Sequence, residues 1–340
     1  MIQTGSQTGG ACVAVLGAGS WGTALAIRLC RNGHRVALWG NEADHIAELR
    51  AEGENRRFLP GLAFPPGLVA LAALDQALDG ATDCLAVVPS HAFAAVTRAL
   101  AGLLPSGIGL AWATKGLDPA SGGLLHTLAQ EVLPGEDLAI VSGPSFAREV
   151  AQGLPTAVTV ASAQPEFARR TAALLHGERF RAYTSSDMVG VEISGAAKNV
   201  LAIATGIADG LGFGANSRAA LITRGLTELI RLGTALGGRG ETFMGLAGVG
   251  DLVLTCTDNQ SRNRRMGLAL ARGLSVAQAR AEIGQEVEGV VTAQAVRTLA
   301  QRHGVEMPIS EQVYQVLYEG RSPLQATAAL LEREPKPEFD

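Results

Sequence analysis

Four groups of side chains in this 340-residue chain have types and spacings that could do chemistry. The first is Lys198, the one charged residue between Glu192 and Asp209 in a run apolar around most of a helix. Burial there would disfavour the ammonium and draw its pKa towards a range useful for proton transfer, while a nearby carboxylate would act the other way. Ser194, Gly195, Leu201 and Ala202 flank it at helical spacing, and the small ones leave a hollow beside the amine. The competing reading is a lysine that snorkels past the helix edge to water. The second is Asp251, after the turn Gly245-Leu-Ala-Gly-Val-Gly250, placed equally well as a helix N-cap or as an acid facing a site. The third is Asn259-Gln-Ser-Arg-Asn-Arg-Arg265, on a chain of formal net charge −4. Ser261, Arg262 and Asn263 offer hydroxyl, guanidinium and amide donors suited to a phosphate monoester. A solvated charge run reads the same way, Arg264 and Arg265 more so than Arg262. The fourth is Gly17-x-Gly19-x-x-Gly22.

Those glycines follow the apolar run Cys12–Leu16, precede a helical pattern, and are followed by a second strand at Arg35–Trp39. In that context Gly17 permits a tight turn, Gly19 lets backbone N–H groups approach a pyrophosphate, and Gly22 brings helix against sheet. The anion would sit on the helix N-terminus. From Cys12 to about Thr184 strand and helix alternate, with strands expected near 68–71, 83–88, 109–113, 138–141, 156–160 and 180–183. This predicts a parallel, doubly wound sheet of Rossmann type with ligands at the carboxyl ends of its strands. Lys115 in Thr114-Lys-Gly116 and the run Ser142-Gly-Pro-Ser-Phe146 fall at such ends, although Lys115 is also readable as a solvated loop lysine. After Asp187 only helical patterns remain, first Met188–Gly210, then about Ser217–Leu236. The expected organisation is a disordered lead-in over 1–11, a dinucleotide-binding domain over 12–187 and an all-α substrate domain over 188–340.

Composition narrows the class. The chain is 47% hydrophobic and 18% charged, long enough for two cored domains, and without the basic surface that nucleic acid requires. Four scattered cysteines show no metal-site spacing and suit a reducing compartment, and no metal is expected. The polar opening lacks signal-peptide character, and no apolar run is long enough to insert in a membrane. A cytoplasmic protein is expected, with a homodimer possible but unspecified by the sequence.

Taken together and in order, Gly17-Ala-Gly-Ser-Trp-Gly22, Ala113-Thr-Lys-Gly116, Ser142-Gly-Pro-Ser-Phe146, Ala197-Lys-Asn-Val200, Gly250-Asp-Leu252 and Asn259-Gln-Ser-Arg-Asn-Arg264 closely resemble the bacterial NAD(P)-dependent sn-glycerol-3-phosphate dehydrogenases. The resemblance spans about Cys12 to Leu331. It implies interconversion of sn-glycerol 3-phosphate and dihydroxyacetone phosphate by hydride transfer, feeding glycerophospholipid synthesis. It also implies that Ser20, Trp21, Asn41, Ala147, Glu286 and Glu288 touch the dinucleotide, with Lys115 between nicotinamide and substrate. Gly143, Ser145, Lys198, Asp251, Ser261, Arg262 and Asn263 would surround the substrate, Arg262 also reaching cofactor and Lys198 being catalytic. The second strand ends in Trp39-Gly-Asn41, without the acid that usually holds the ribose of NAD, so NADP is expected over NAD. Family members often carry a basic residue where this chain has Asn41, and Arg57 is the candidate replacement.

Two other readings compete. A β-hydroxyacid or ketopantoate type of dehydrogenase also joins a dinucleotide fold to a helical domain, but a carboxylate substrate does not need the Ser261-Arg-Asn263 donors. A dinucleotide-sensing regulator would leave Lys198 and Asp251 without a task.

Overall fold

The structure, a computed structural model, describes residues 10–334 and Pro337. Residues 1–9 of the expected lead-in, and residues 335, 336 and 338–340 of the expected helical domain, lie outside the described residues. Ala11 is already part of the packed structure: its N–H donates to His34 Nδ1 at 3.2 Å, and its carbonyl accepts from Arg35.

Eight strands form one sheet: β1 (Cys12–Leu16), β2 (Arg35–Trp39), β3 (Leu68–Leu71), β4 (Asp83–Ala86), β5 (Leu110–Trp112), β6 (Leu138–Ser142), β7 (Thr156–Ala161) and β8 (Phe180–Ser185), in the order β3-β2-β1-β4-β5-β6-β7-β8. The reversal of direction lies between β1 and β4, the crevice of a Rossmann-type fold. Leu16 pairs with both Trp39 and Ala86, Ala86 with Trp112, and Trp112 with Ile140. That register brings Gly17, Lys115 and Gly143 out at one edge. The sheet departs from the all-parallel expectation at β7, which runs antiparallel to β6, with β8 parallel to β7. The connection from β6 carries the six-residue α6, after which the chain turns back and β7 runs beside β6 in the opposite direction.

Helices α1 (Ser20–Arg31), α2 (Ala43–Glu52), α3 (Leu74–Leu78), α4 (Ser90–Leu100), α5 (Leu125–Val132), α6 (Ala147–Gln152) and α7 (Pro165–Leu175) belong to this sheet domain, whose two faces carry separate apolar clusters. The rest is helical: α8 (Met188–Gly210), α9 (Ala215–Ala235), α10 (Gly240–Phe243), α11 (Asp251–Thr257), α12 (Arg262–Ala271), α13 (Val276–Ile283), α14 (Glu288–Arg302), α15 (Pro308–Tyr318) and α16 (Pro323–Leu331).

Helix α8 is the axis of the second domain, buried from Gly190 to Ala208. Helix α12 lies against it at backbone distance. A Cβ on Gly206 would stand 2.2 Å from the Arg264 carbonyl oxygen, and one on Gly267 would stand 2.1 Å from that of Ile203. This contact carries the N-terminus of α12 to the level of Lys198. At its own N-terminus α8 is capped by Asp187, whose Oδ1 accepts from Gly190 N at 2.9 Å and whose Oδ2 accepts from Arg239 N at 2.9 Å. One turn on, the buried Glu192 accepts from Leu125 N and pairs with His126 Nδ1 at 2.6 Å, fastening α8 to α5 of the sheet domain.

Candidate active site

The glycine turn has the shape a dinucleotide requires. Gly17 sits at φ +125°, and a Cβ there would be 2.4 Å from the Val87 carbonyl oxygen. One on Gly22 would be 1.8 Å from Gly17 O, whereas above Gly19 there is open space. Helix α1 therefore starts at Ser20 with its N–H groups directed over an uncluttered floor. Beside it the indole Nε1 of Trp21 is buried with no hydrogen-bond partner among the described residues. An orphaned donor next to an open glycine cradle fits a bound dinucleotide.

Across the crevice, α8 and α11 form the chemical centre. Lys198 is 5% exposed, and its Nζ donates to Asp251 Oδ1 at 2.6 Å and to Thr255 Oγ1 at 2.7 Å. Lys115 reaches the other carboxylate oxygen, Nζ to Oδ2 2.8 Å, and donates to Gly143 O at 2.8 Å, with Ser145 Oγ at 3.5 Å. One carboxylate from the helical domain thus holds a lysine from each domain. Burial lowers the Lys198 pKa to about 8; Asp251 acts upward and Lys115 downward. For Asp251, burial acts upward, but the two ammonium groups outweigh it and keep the carboxylate ionised. Asp251 is not an N-cap: it is the first residue of α11, follows Gly250, and turns its side chain to the lysines. The close-packed turn Leu246–Gly250 brings it there. The hydroxyls of Ser142 and Ser194 are likewise buried without partners among the described residues.

The donor cluster is built on the start of α12. Ser261 is its N-cap; Oγ accepts from Arg264 N at 3.2 Å, which leaves the hydroxyl proton free to donate. Arg262 is half-buried and has no hydrogen-bond or ion-pair partner among the described residues, and burial pulls its guanidinium below its usual pKa. Asn263 accepts from Gly289 N at 2.9 Å and donates to Asn199 Oδ1 at 2.9 Å. Arg264 corrects the expectation of a solvated charge: it is 7% exposed, ion-paired with Asp209, and its Nε donates to Asn259 Oδ1 at 3.0 Å. The close approach of α12 to α8 buries that side of the helix, so a surface-looking run divides into a buried brace and an open cation.

Of the remaining expected positions, Glu288 reaches across the crevice, accepting from Ser90 N at 2.9 Å and Ser90 Oγ at 2.6 Å. Burial raises its pKa. Glu286 is paired with Arg280 at 3.0 Å, Ala147 opens α6, and Asn41 is exposed just beyond β2. Sequence reasoning missed Thr255 and Asn199. Thr255 lies four residues after Asp251, a legible helical spacing, but nothing in the sequence said which face of α11 would meet Lys198. Asn199 Nδ2 donates to Lys115 O at 3.1 Å, so its oxygen and nitrogen link the start of α12 to the strand-end loop.

The profile of the NAD-dependent glycerol-3-phosphate dehydrogenase N-terminus matches residues 12–168, and that of the C-terminus matches 187–328. The chain belongs to the NAD-dependent glycerol-3-phosphate dehydrogenase family. A glycerol-3-phosphate dehydrogenase [NAD(P)+] of Stenotrophomonas maltophilia is 56% identical over 329 residues, 96% of each chain. The crystal structure of a glycerol-3-phosphate dehydrogenase of Coxiella burnetii is 52% identical, with a TM-score of 0.93 over 95% of this chain and 99% of that one. A ketopantoate reductase of Ralstonia eutropha, at 16% identity and a TM-score of 0.60 over 93% of this chain and 99% of that one, shares the fold alone.

Proposed function

We propose that Lys198 is the proton-transfer residue in the reaction of this glycerol-3-phosphate dehydrogenase. The chain is an oxidoreductase that interconverts sn-glycerol 3-phosphate and dihydroxyacetone phosphate with NAD or NADP, the step that supplies glycerophospholipid backbones. The bound nicotinamide, when reduced, supplies the hydride. As the ketone is reduced its oxygen gains negative charge; Lys198 as ammonium meets that charge and donates a proton to the oxygen. In the reverse direction the neutral amine takes the alcohol proton. Asp251 aims Nζ of Lys198 and balances Lys115, which sits at the strand end where nicotinamide and substrate meet, with Gly143 and Ser145 beside it. Arg262, the Ser261 hydroxyl, Asn263 and the N–H groups opening α12 hold the phosphate away from the reacting carbon and so orient it. Gly17, Gly19, Ser20, Trp21, Gly22, Asn41, Ala147, Arg262, Glu286 and Glu288 make the dinucleotide side, with Glu288 and Arg262 closing it from the helical domain.

The observation that carries this reading is the doubly held carboxylate of Asp251, which gathers Lys198 and Lys115 at the sheet edge facing the glycine turn. The division at Asp187 and Met188 is supported by the cap that opens α8. A cytoplasmic setting is supported by four unpaired cysteines. No described helix is long and apolar enough to cross a membrane. A homodimer is the assembly expected, in which a second copy would cover Leu324 and Leu331, seven residues apart on α16 and 66% and 77% exposed. The test is the absorbance of reduced nicotinamide during incubation with dihydroxyacetone phosphate: consumption by the wild type and none by Lys198→Ala is expected, and equal consumption overturns the assignment.

A further inference from the structure

The segment after α2 is tied to the glycine turn by one buried side chain. Asn55 is 0% exposed; its Nδ2 donates to Ala18 O at 2.9 Å and to Thr23 Oγ1 at 2.8 Å, while its Oδ1 accepts from Phe58 N at 3.1 Å and lies 3.2 Å from His45 Nε2. Phe58 packs edge-on against His45, ring centroids 5.1 Å apart. Upon this platform stands Arg57, its guanidinium carbon 4.8 Å from the Phe58 ring centre and its Nη1 2.6 Å from Glu42 Oε2. Glu42 is three residues beyond the end of β2, where a dinucleotide fold presents the adenosine ribose. The end of the second strand therefore has an acid after all, and a cation is already seated on it.

We propose that Glu42 and Arg57 are the pair that discriminates between NADP and NAD, an inference that rests on the dehydrogenase reading above. Both side chains are half exposed, 51% for Arg57 and 54% for Glu42, so their ion pair contributes little and is given up readily. The 2′-phosphate of NADP draws the guanidinium from Glu42 into a charge-assisted, two-pronged contact while Phe58 keeps its plane in place. With NAD the pair stays closed, and no phosphate is offered to Arg57.

The test is calorimetric binding of 2′,5′-ADP and of 5′-AMP to the full chain, together with the ratio of kcat/KM for NADPH and NADH. Arg57→Ala is expected to lower the preference for 2′,5′-ADP over 5′-AMP, and the NADPH:NADH ratio, by about tenfold or more, Arg57→Lys to restore part of each, and Glu42→Gln to raise both. An Arg57→Ala protein that keeps the wild-type preference in fragment binding overturns the inference. A wild type that binds both fragments but consumes neither reduced cofactor with dihydroxyacetone phosphate instead overturns the reading beneath it, since fragment binding does not depend on turnover.

Discussion

Lys198 and Asp251 form an ion pair of 2.6 Å in which the residues are 5% and 1% exposed, so each is the other's principal substitute for water. In Asp251→Asn the carboxylate that raises the Lys198 pKa is gone while Lys115 remains. The alkaline limit of ketone reduction is expected to move to lower pH than in the wild type. Breaking a buried pair also costs stability, roughly 3–5 kcal/mol. Rate profiles from pH 6 to 10 and urea unfolding check both; an unmoved limb would separate Asp251 from the titration of Lys198.

The depressed pKa of Lys198, about 8, sets opposite pH dependences for the two directions. Reduction needs the ammonium, so its rate should fall as pH rises through about 8; oxidation needs the free amine and should rise to a plateau there. Lys198→Ala should lose about a thousandfold in turnover while still binding cofactor. Fluorescence quenching by the reduced cofactor measures the binding, and a variant with half the wild-type rate removes Lys198 from the mechanism.

Arg262, with no partner among the described residues, should act on affinity first. Arg262→Ala is expected to raise KM for dihydroxyacetone phosphate by about a hundredfold, with a smaller loss in kcat. Steady-state kinetics on the phosphorylated substrate decide it: an unchanged KM would return Arg262 to the solvated charges.

Glu228 on α9 gives a stability prediction remote from the site. Its carboxylate accepts from Ile309 N at 2.5 Å and Ser310 N at 3.1 Å, capping α15, yet burial pushes its pKa from 4.5 up to about 7. A pKa raised on folding stabilises fully below pH 4.5 and loses that contribution as pH rises through about 7. Its share should therefore decline by roughly 3 kcal/mol across that window. Lys198, depressed from 10.5 to about 8, acts with the opposite sign above pH 8. Urea unfolding from pH 4.5 to 8 should show a shallower decline for Glu228→Gln, and identical slopes would exclude Glu228 as the source.

Much of the architecture was legible because it repeats locally. Helix α8 spans Met188–Gly210 as the apolar periodicity predicted, and the glycine turn stands between β1 and α1 as its spacing required. The antiparallel β7 was not legible, since a short apolar strand reads alike in either direction and only its pairing with β6 in the folded sheet fixes which it takes. The charge run misled at Arg264 because helical spacing alone does not say which side meets another helix; Gly206 and Gly267, unremarkable in sequence, decide that by letting α8 and α12 touch.

The sequence by itself determined the class of chemistry. A glycine turn between strand and helix, a lone amine in an apolar helix and a Ser-Arg-Asn triplet are short-range patterns whose physical consequences need few distant neighbours. Only the tertiary structure decided that Asp251 serves Lys198 and Lys115 together, that Arg264 braces while Arg262 stays open, and that Glu42 holds Arg57. Such partnerships are set by where helices and loops distant in the chain come to rest, and burial then shifts the charges that sequence composition can only count.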